Sequence, residues 1–518
     1  MRELEVLIGL LLAATLLAAA ARRVGAPYPV FLALGGVLLA FVPGAPSFTV
    51  LPELALALFV APVLLDAAYD TSPRDLRDNW GPVATLVVVA VGLTTVAVAL
   101  VARWLMPGLA WAPAIALGAI VAPPDAAAAT AVLRQLKPPH RILTILQGES
   151  LLNDASALLI YRLAVGAVAA HGFAIREVGP TFLFAVIGSL IVGPALGWMM
   201  LRLTRRITDV PTAIIFQFGS TFGVWILADR IGLSGVLTMV CYAITAARTA
   251  PERTPARIRI PSYAVWETVV FVLNVLAFVF IGLQIRPILS ALDPAARGRY
   301  FVVGGAVLVT VIVVRVAWHM LFNAAIRWWE RRAGFRPPRP MLRPTVGSGL
   351  VISWSGMRGI VTLAAALALP PAFPYRDLIV LTAFLVVLGT LTLQGLTLGP
   401  LLRALDLHDD DPVGQEVSAA RERAMHAGLA AIQPDESPAV ELVRQEFIAH
   451  LGSTVRTASG EIAASTHREV LRRALHAARH AVLAMRASEE IGDDAFHQIE
   501  EELDWIEMSD GGKEVDGP

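Results

Sequence analysis

Thirteen apolar runs, centred near Leu12, Gly35, Phe59, Gly92, Ile120, Ala157, Ser189, Gly219, Met239, Leu276, Val311, Ala364 and Val386, follow one another before Leu405. A helix needs roughly 20 mostly apolar residues to cross about 30 Å of hydrocarbon, so the pattern predicts about thirteen transmembrane helices over residues 1–405. Beyond Leu405 the spacing changes. Leu471, Leu475, Ala478, Val482 and Met485 recur at alternating steps of four and three, the stripe of an amphipathic helix, and Thr466 and Glu469 stand at capping-box spacing before it. Residues 406–518 are therefore expected to form a small helical domain outside the bilayer. The fold class is all-α and polytopic, with a helical appendage.

The composition agrees: 56% of residues are apolar and only 16% charged, outside the range of ordinary soluble domains. Charge is divided unevenly. Up to Leu405 there are 32 basic residues against 18 acidic, and after it 10 against 24. Among the connections, one alternating set carries 21 Lys and Arg residues and the other eight. Basic residues stay in the cytoplasm, which puts the N-terminus outside and the acidic tail inside the cell membrane. Glu3 and Glu5 open the first run where a cleavable signal would be basic. Seven of the ten histidines lie in the tail, where solvated surface residues are the favoured reading and pH sensing the alternative; the run from Glu500 to Asp510 reads as a solvated acidic face followed by a frayed end. Cys241 is the single cysteine, so one chain can build neither a disulfide nor a cysteine zinc site.

Ionisable side chains at bilayer depth cost at least about 2.5–3.5 kcal/mol on insertion scales and are normally paired or functional. The densest group is Gly148-Glu149-Ser150-Leu151-Leu152-Asn153-Asp154 in the sixth run. Ser150 and Asp154 are four apart and share one helix face, while Glu149 aligns with Asn153 on another. The first stripe can offer hydroxyl and carboxylate oxygens to a hard cation, and the second can hold a structural ion pair. In the fifth run Pro123 and Pro124 break the helix near its centre; Asp125 follows, with helix capping as its default role and cation ligation as the alternative. The twelfth run is interrupted at Ser353-Trp354-Ser355-Gly356-Met357-Arg358-Gly359. With the seventh run as a linker, the two breaks occupy the fifth place in each set of six, the pattern of two inverted six-helix repeats with a site at the crossing. Arg358 is most economically paired with Glu149. Asp66 belongs either to the cavity or to the cytoplasmic rim with Asp70. Glu267 and Asn274 read as a buried polar pair of the tenth run, and Arg162 and Arg315 as snorkelling or structural residues.

These motifs resemble the monovalent cation/proton antiporter-1 family, which includes bacterial sodium/proton antiporters of the NhaP and NHE-like kind. The resemblance rests on Gly148 to Asp154, on Pro62 to Tyr69 and on Trp354 to Thr362, and covers roughly residues 5–404. It implies a homodimer with a core domain moving against a dimer domain. It also implies Asp154 as the shared proton and Na+ carboxylate, Ser150 and Asp66 as further metal ligands, Asn153 as support, and Glu149 with Arg358 as the structural pair. The family usually carries Thr-Asp-Pro where this chain has Pro124-Asp125-Ala126, so a ligand there is left to the Pro124 carbonyl. Asp66 stands where the family often has the longer Glu.

The function expected is exchange of Na+, with Li+ or K+ as further candidates, for H+ by alternating access. A single titrating acid beside Asn153 implies electroneutral exchange. The alternatives are a K+/H+ antiporter on the same scaffold or a cation channel. The chain lacks a P-loop, a His–Glu metal helix, an arginine ladder and a nucleophile–base pair, so the expectation is a transporter with no cofactor, no enzymatic activity and no nucleic-acid partner.

Overall fold

The computed structural model describes residues 2–23, 26–43, 52–69, 71–125, 128–130, 132–133, 138–169, 175–333, 345–407, 412–432, 440–445 and 464–510. Among these the chain is built of helices, with no strand. In order, the spans are Arg2–Arg23, Tyr28–Ala40, Leu56–Tyr69, Trp80–Leu105, a fifth begun by Trp111–Val121, His140–Ala169, Ile175–Thr204, Val210–Arg230, Gly235–Arg253, Ala256–Leu283, Pro294–Ala333, a twelfth in two pieces at Val346–Trp354 and Ile360–Leu367, and Arg376–Leu405. The outward faces carry large apolar side chains such as Trp104, Ile191, Ile215 and Leu321, a surface suited to lipid tails and costly in water. The third and fourth spans each contain a π-helical stretch, Leu56–Val60 and Thr85–Ala90.

The spans pack as two bundles. Spans one to three associate with seven to ten, chiefly through the seventh against the ninth and the second against the tenth. Spans four to six associate with eleven to thirteen. With little hydrophobic drive between helices in lipid, close approach depends on small residues. At the crossing of the second and tenth spans a Cβ on Gly282 would meet the Ala33 carbonyl at 2.2 Å, and one on Gly36 the Val279 carbonyl at 2.4 Å.

Among the described residues after Leu405, the helices Pro412–Ala431, Ala464–Ala487 and Asp493–Asp510 follow, with a further helical piece at 440–445. Leu471, Leu475, Ala478, Val482 and Met485 are all buried in a hydrophobic cluster drawn only from residues after Leu405, as their spacing predicts. The middle helix is already formed at Ala464, and the side chains of Thr466 and Glu469 lie outside the described residues.

Several expectations need correction. The acidic face of the last helix is solvated only in part: Glu501 is exposed, but Glu500 and Asp504 are buried because both pair with Arg259 of the tenth span, the Arg259–Glu500 contact being 3.1 Å. His497 is half-buried, stacked on Tyr69 of the third span at 5.8 Å, whereas His426, His476 and His480 are exposed as expected. Residues 511–518, with the frayed end expected there, lie outside the described residues, as do His408, His450 and Asp70. Glu267 is exposed and forms no buried pair with Asn274. Its neighbour Trp266 is the buried residue, donating from Nε1 to Gln217 Oε1 at 3.0 Å and stacking on Phe218.

Candidate functional site

Both broken spans interrupt where their sequences predict. The fifth is non-helical from Ala122 to Asp125, and the twelfth between Trp354 and Ile360. Two prolines cannot donate amide hydrogens, and a helix end leaves its last carbonyls without partners. The two breaks answer each other. The Asp125 amide donates to the Met357 carbonyl at 2.7 Å. The Arg358 guanidinium donates from Nε to the Val121 carbonyl and from Nη2 to the Ala122 carbonyl, both at 3.0 Å, and from Nη1 to the Gly356 carbonyl. Its own amide donates to Thr390 Oγ1 of the thirteenth span at 3.0 Å.

Arg358 therefore does not pair with Glu149. Backbone oxygens released by the break satisfy it, and Glu149 takes Arg315 of the eleventh span instead. That contact is bidentate, with Nη1 to Oε1 at 2.5 Å and Nη2 to Oε2 at 2.7 Å. Arg315 also donates from Nε to the Ser353 carbonyl at 3.1 Å and from Nη2 to the Ile352 carbonyl at 3.2 Å. Glu149 and Arg315 are 1% and 3% exposed. The pair thus ties the sixth and eleventh spans to the end of the first half of the twelfth.

The two stripes of the sixth span separate as their spacing predicts. Ser150 and Asp154 line a small cavity on the seam between the bundles. One wall comes from the third and tenth spans, with Phe59, Val60, Val63, Leu64, Ala67, Asn274, Ala277 and Phe278; the other comes from Asp125, Ser150, Leu151, Asp154, Ile360 and Val361. Most of this wall is apolar, with convergent oxygens at one side, the usual construction of a small-ligand site. Asn153 turns away from the cavity, donating from Nδ2 to the Pro124 carbonyl at 3.1 Å, while its buried Oδ1 has no hydrogen-bond partner.

Asp154 is 6% exposed and, among the described residues, has no hydrogen-bond or ion-pair partner. A second small space, lined by Pro123, Tyr161 and Ala365 among others, opens on its other side. Asp125 stands close enough to act on it electrostatically, so the acid is not alone in the cavity. Asp125 packs so tightly on Gly359 that a Cβ there would lie 1.4 Å from Asp125 Oδ2.

Asp66 is half-buried, and the cavity wall takes its neighbours Val63 and Ala67 in its place. Pro124 meets the site through Asn153 and not on the wall. Asn274 does line the cavity, a placement that its spacing from Glu267 alone did not reveal. Arg162 lines neither space, being exposed and 3.4 Å from Asp229.

Residues 10–404 match the family described as "Sodium/hydrogen exchanger, transmembrane". A sodium, potassium, lithium and rubidium/H+ antiporter of Bacillus subtilis is 30% identical over 388 residues, covering 72% of this chain and 57% of the relative. This chain therefore spans little more than half the length of that relative. An uncharacterised Na+/H+ exchanger of Mycobacterium tuberculosis is 32% identical over 423 residues, covering 79% of this chain and 76% of the relative. The solved structure of the sodium proton antiporter MjNhaP1 from Methanocaldococcus jannaschii superposes with a TM-score of 0.60 at 16% identity, over 78% of this chain and 99% of that one. It shows the shared fold.

Proposed function

The chain belongs to the sodium/hydrogen exchanger family, and from that premise we propose that it exchanges Na+ for H+ across a membrane by alternating access. The observation that carries this reading is Asp154: a buried carboxylate with no hydrogen-bond or ion-pair partner among the described residues, in a cavity on the seam between two helix bundles. Burial disfavours the charged form of a carboxyl group, and a bound cation favours it. A proton and Na+ therefore compete for the same oxygens. If the bundles slide past one another only when that charge is neutralised, each direction of travel carries one of the two.

The proposed ligands in this state are Asp154 and Ser150, joined by Asp125 and Asn274 on the cavity wall. Asn153, through the Pro124 carbonyl, holds the break of the fifth span against the sixth. Glu149 with Arg315, and Arg358 with the freed carbonyls, keep the crossing in register. Asp154 is the one unpartnered acid of this wall among the described residues, which supports one proton per cation and electroneutral exchange. The range of cations named for the Bacillus relative makes Li+ and K+ the natural competitors to test. Residues 1–405 are proposed as the transport domain of a homodimer in the cell membrane, N-terminus outside, with residues 406–518 as a cytoplasmic domain.

Replacing Asp154 with Asn keeps the shape and removes the charge. In proteoliposomes the variant is expected to lose Na+-driven proton movement while eluting and melting like the parent. Robust exchange by it would remove Asp154 from the mechanism, and a rate that responded to imposed voltage would overturn electroneutrality.

A further inference from the structure

The last helix, Asp493–Asp510, touches both bundles on one side of the seam. Against the bundle of spans one to three and seven to ten, Glu500 and Asp504 pair with Arg259, and His497 stacks on Tyr69. Arg486, just before this helix, reaches the Ala247 carbonyl of the ninth span at 3.4 Å. Against the other bundle, Asp494 lies 3.4 Å from His140 Nδ1 at the start of the sixth span, the span that carries Ser150 and Asp154. The same imidazole presents Nε2 to Asp75 of the short helix Pro73–Asp78 at 3.3 Å. Glu416 of the first tail helix binds Arg74 beside it at 2.9 Å, and Glu489 pairs with Arg77. Both bundles are therefore bolted to one element across the seam where the proposed movement takes place.

We propose that the last helix is a strap that holds the two bundles together, and that a proton on His140 sets its grip. The inference rests on the transport reading above. Each ring nitrogen faces a different carboxylate. Neutral imidazole has one N–H, so one of those contacts would set a lone pair against an anion; only the doubly protonated ring donates to both. The charged groups around it are Asp75 and Arg74 on the short helix, Asp493 and Asp494 on the strap, Glu416 on the first tail helix, and Arg141 on its own helix. Three of the neighbours with which Asp494 interacts electrostatically are acids: Asp75, Asp493 and Glu416. Without the imidazolium, the strap would bring its own carboxylates against another.

Other groups on the strap set the window. Burial pushes Glu500 up to about 7 from its ordinary 4.5, so docking retains its proton and that contribution is lost as pH rises through 7. Burial pulls His497 down to about 4 from 6.5, so docking is opposed as pH falls from 6.5 towards 4. The strap grips best on the mildly acid side of neutrality and loosens as pH rises through it.

The test uses the full-length protein. Hydrogen–deuterium exchange of residues 493–510, corrected for intrinsic rates, is compared at pH 6 and pH 8. Na+/H+ exchange is measured in proteoliposomes at the same two values for the parent, His140→Gln and Asp494→Asn. The parent is expected to lose protection severalfold at pH 8. Both variants are expected to exchange severalfold faster than the parent at pH 6, with a flatter pH profile. Equal protection of the parent helix at both pH values, or variant profiles that coincide with the parent's, would overturn the strap. Should the parent carry no exchange at either pH, the transport reading fails by itself, and the same protection measurement on His140→Gln still decides the strap: a loss between pH 6 and pH 8 as large as the parent's would show that His140 does not set the grip.

Discussion

The buried Glu149–Arg315 pair permits a quantitative test of how the crossing is held. Removing one partner of a buried ion pair leaves an uncompensated charge and typically costs about 3–5 kcal/mol. Arg315→Met leaves Glu149 in that condition and also deprives the Ser353 and Ile352 carbonyls of a donor. Glu149→Met strands Arg315 at 3% exposure. In the double variant no lone charge remains, and the residual cost is that of the two carbonyls, about 1–3 kcal/mol for an unsatisfied buried group. The double variant should therefore be more stable than either single one. Its loss should fall short of the summed single losses by several kcal/mol, read as a double-mutant cycle by equilibrium unfolding in mixed micelles. Glu149→Met and Arg358→Met should couple far more weakly, because Arg358 spends its donors on backbone oxygens. Single variants within about 0.5 kcal/mol of the parent, or a Glu149–Arg315 cycle that closed additively at that level, would refute the pairing and the role given to it.

Two further outcomes follow from close contacts. Gly359→Ala places a methyl where Asp125 Oδ2 now lies; the carboxylate must move, and Na+/H+ exchange should fall at least tenfold with the protein still folded, measured as dequenching of a trapped pH dye. Gly282→Ala drives a methyl into the Ala33 carbonyl. Backbone there cannot yield cheaply, so the second and tenth spans should separate and stability should drop by about 1–3 kcal/mol, the usual cost of overpacking; an unchanged melting temperature would contradict that packing.

Much of the site is legible along the chain because its signals are local. Pro123-Pro124 dictates a break wherever it falls in a helix, and the interval of four between Ser150 and Asp154 puts both on one face regardless of what they face. The partner of Glu149 was not legible in this way. Three arginines, Arg162, Arg315 and Arg358, fall within apolar runs, and nothing in one dimension says which lies opposite. A usable signal did exist: a broken helix frees carbonyls that need donors, and Arg358 sits inside the second break, where such carbonyls gather. The burial of Glu500 and Asp504 was hidden for a different reason. Acidic helix faces usually meet water, and the arginine that covers this one lies 245 residues from Asp504 in sequence. Asn274 looked like core because its wall neighbours Ala277 and Phe278 are apolar; only the fold reveals the hollow beside them.

The main-chain bond from Asp125 to Met357 has a consequence for how mutations should sort. Together with the Arg358 contacts it makes the two half-helix junctions a single cradle, which cannot part without exposing amides and carbonyls in oil. In the exchange proposed above, such a cradle would carry its cargo bodily past a stationary flank. Changes within it should then alter how tightly the ion is held, and changes on the greasy flank of Phe59, Val60 and Phe278 how often the journey is completed.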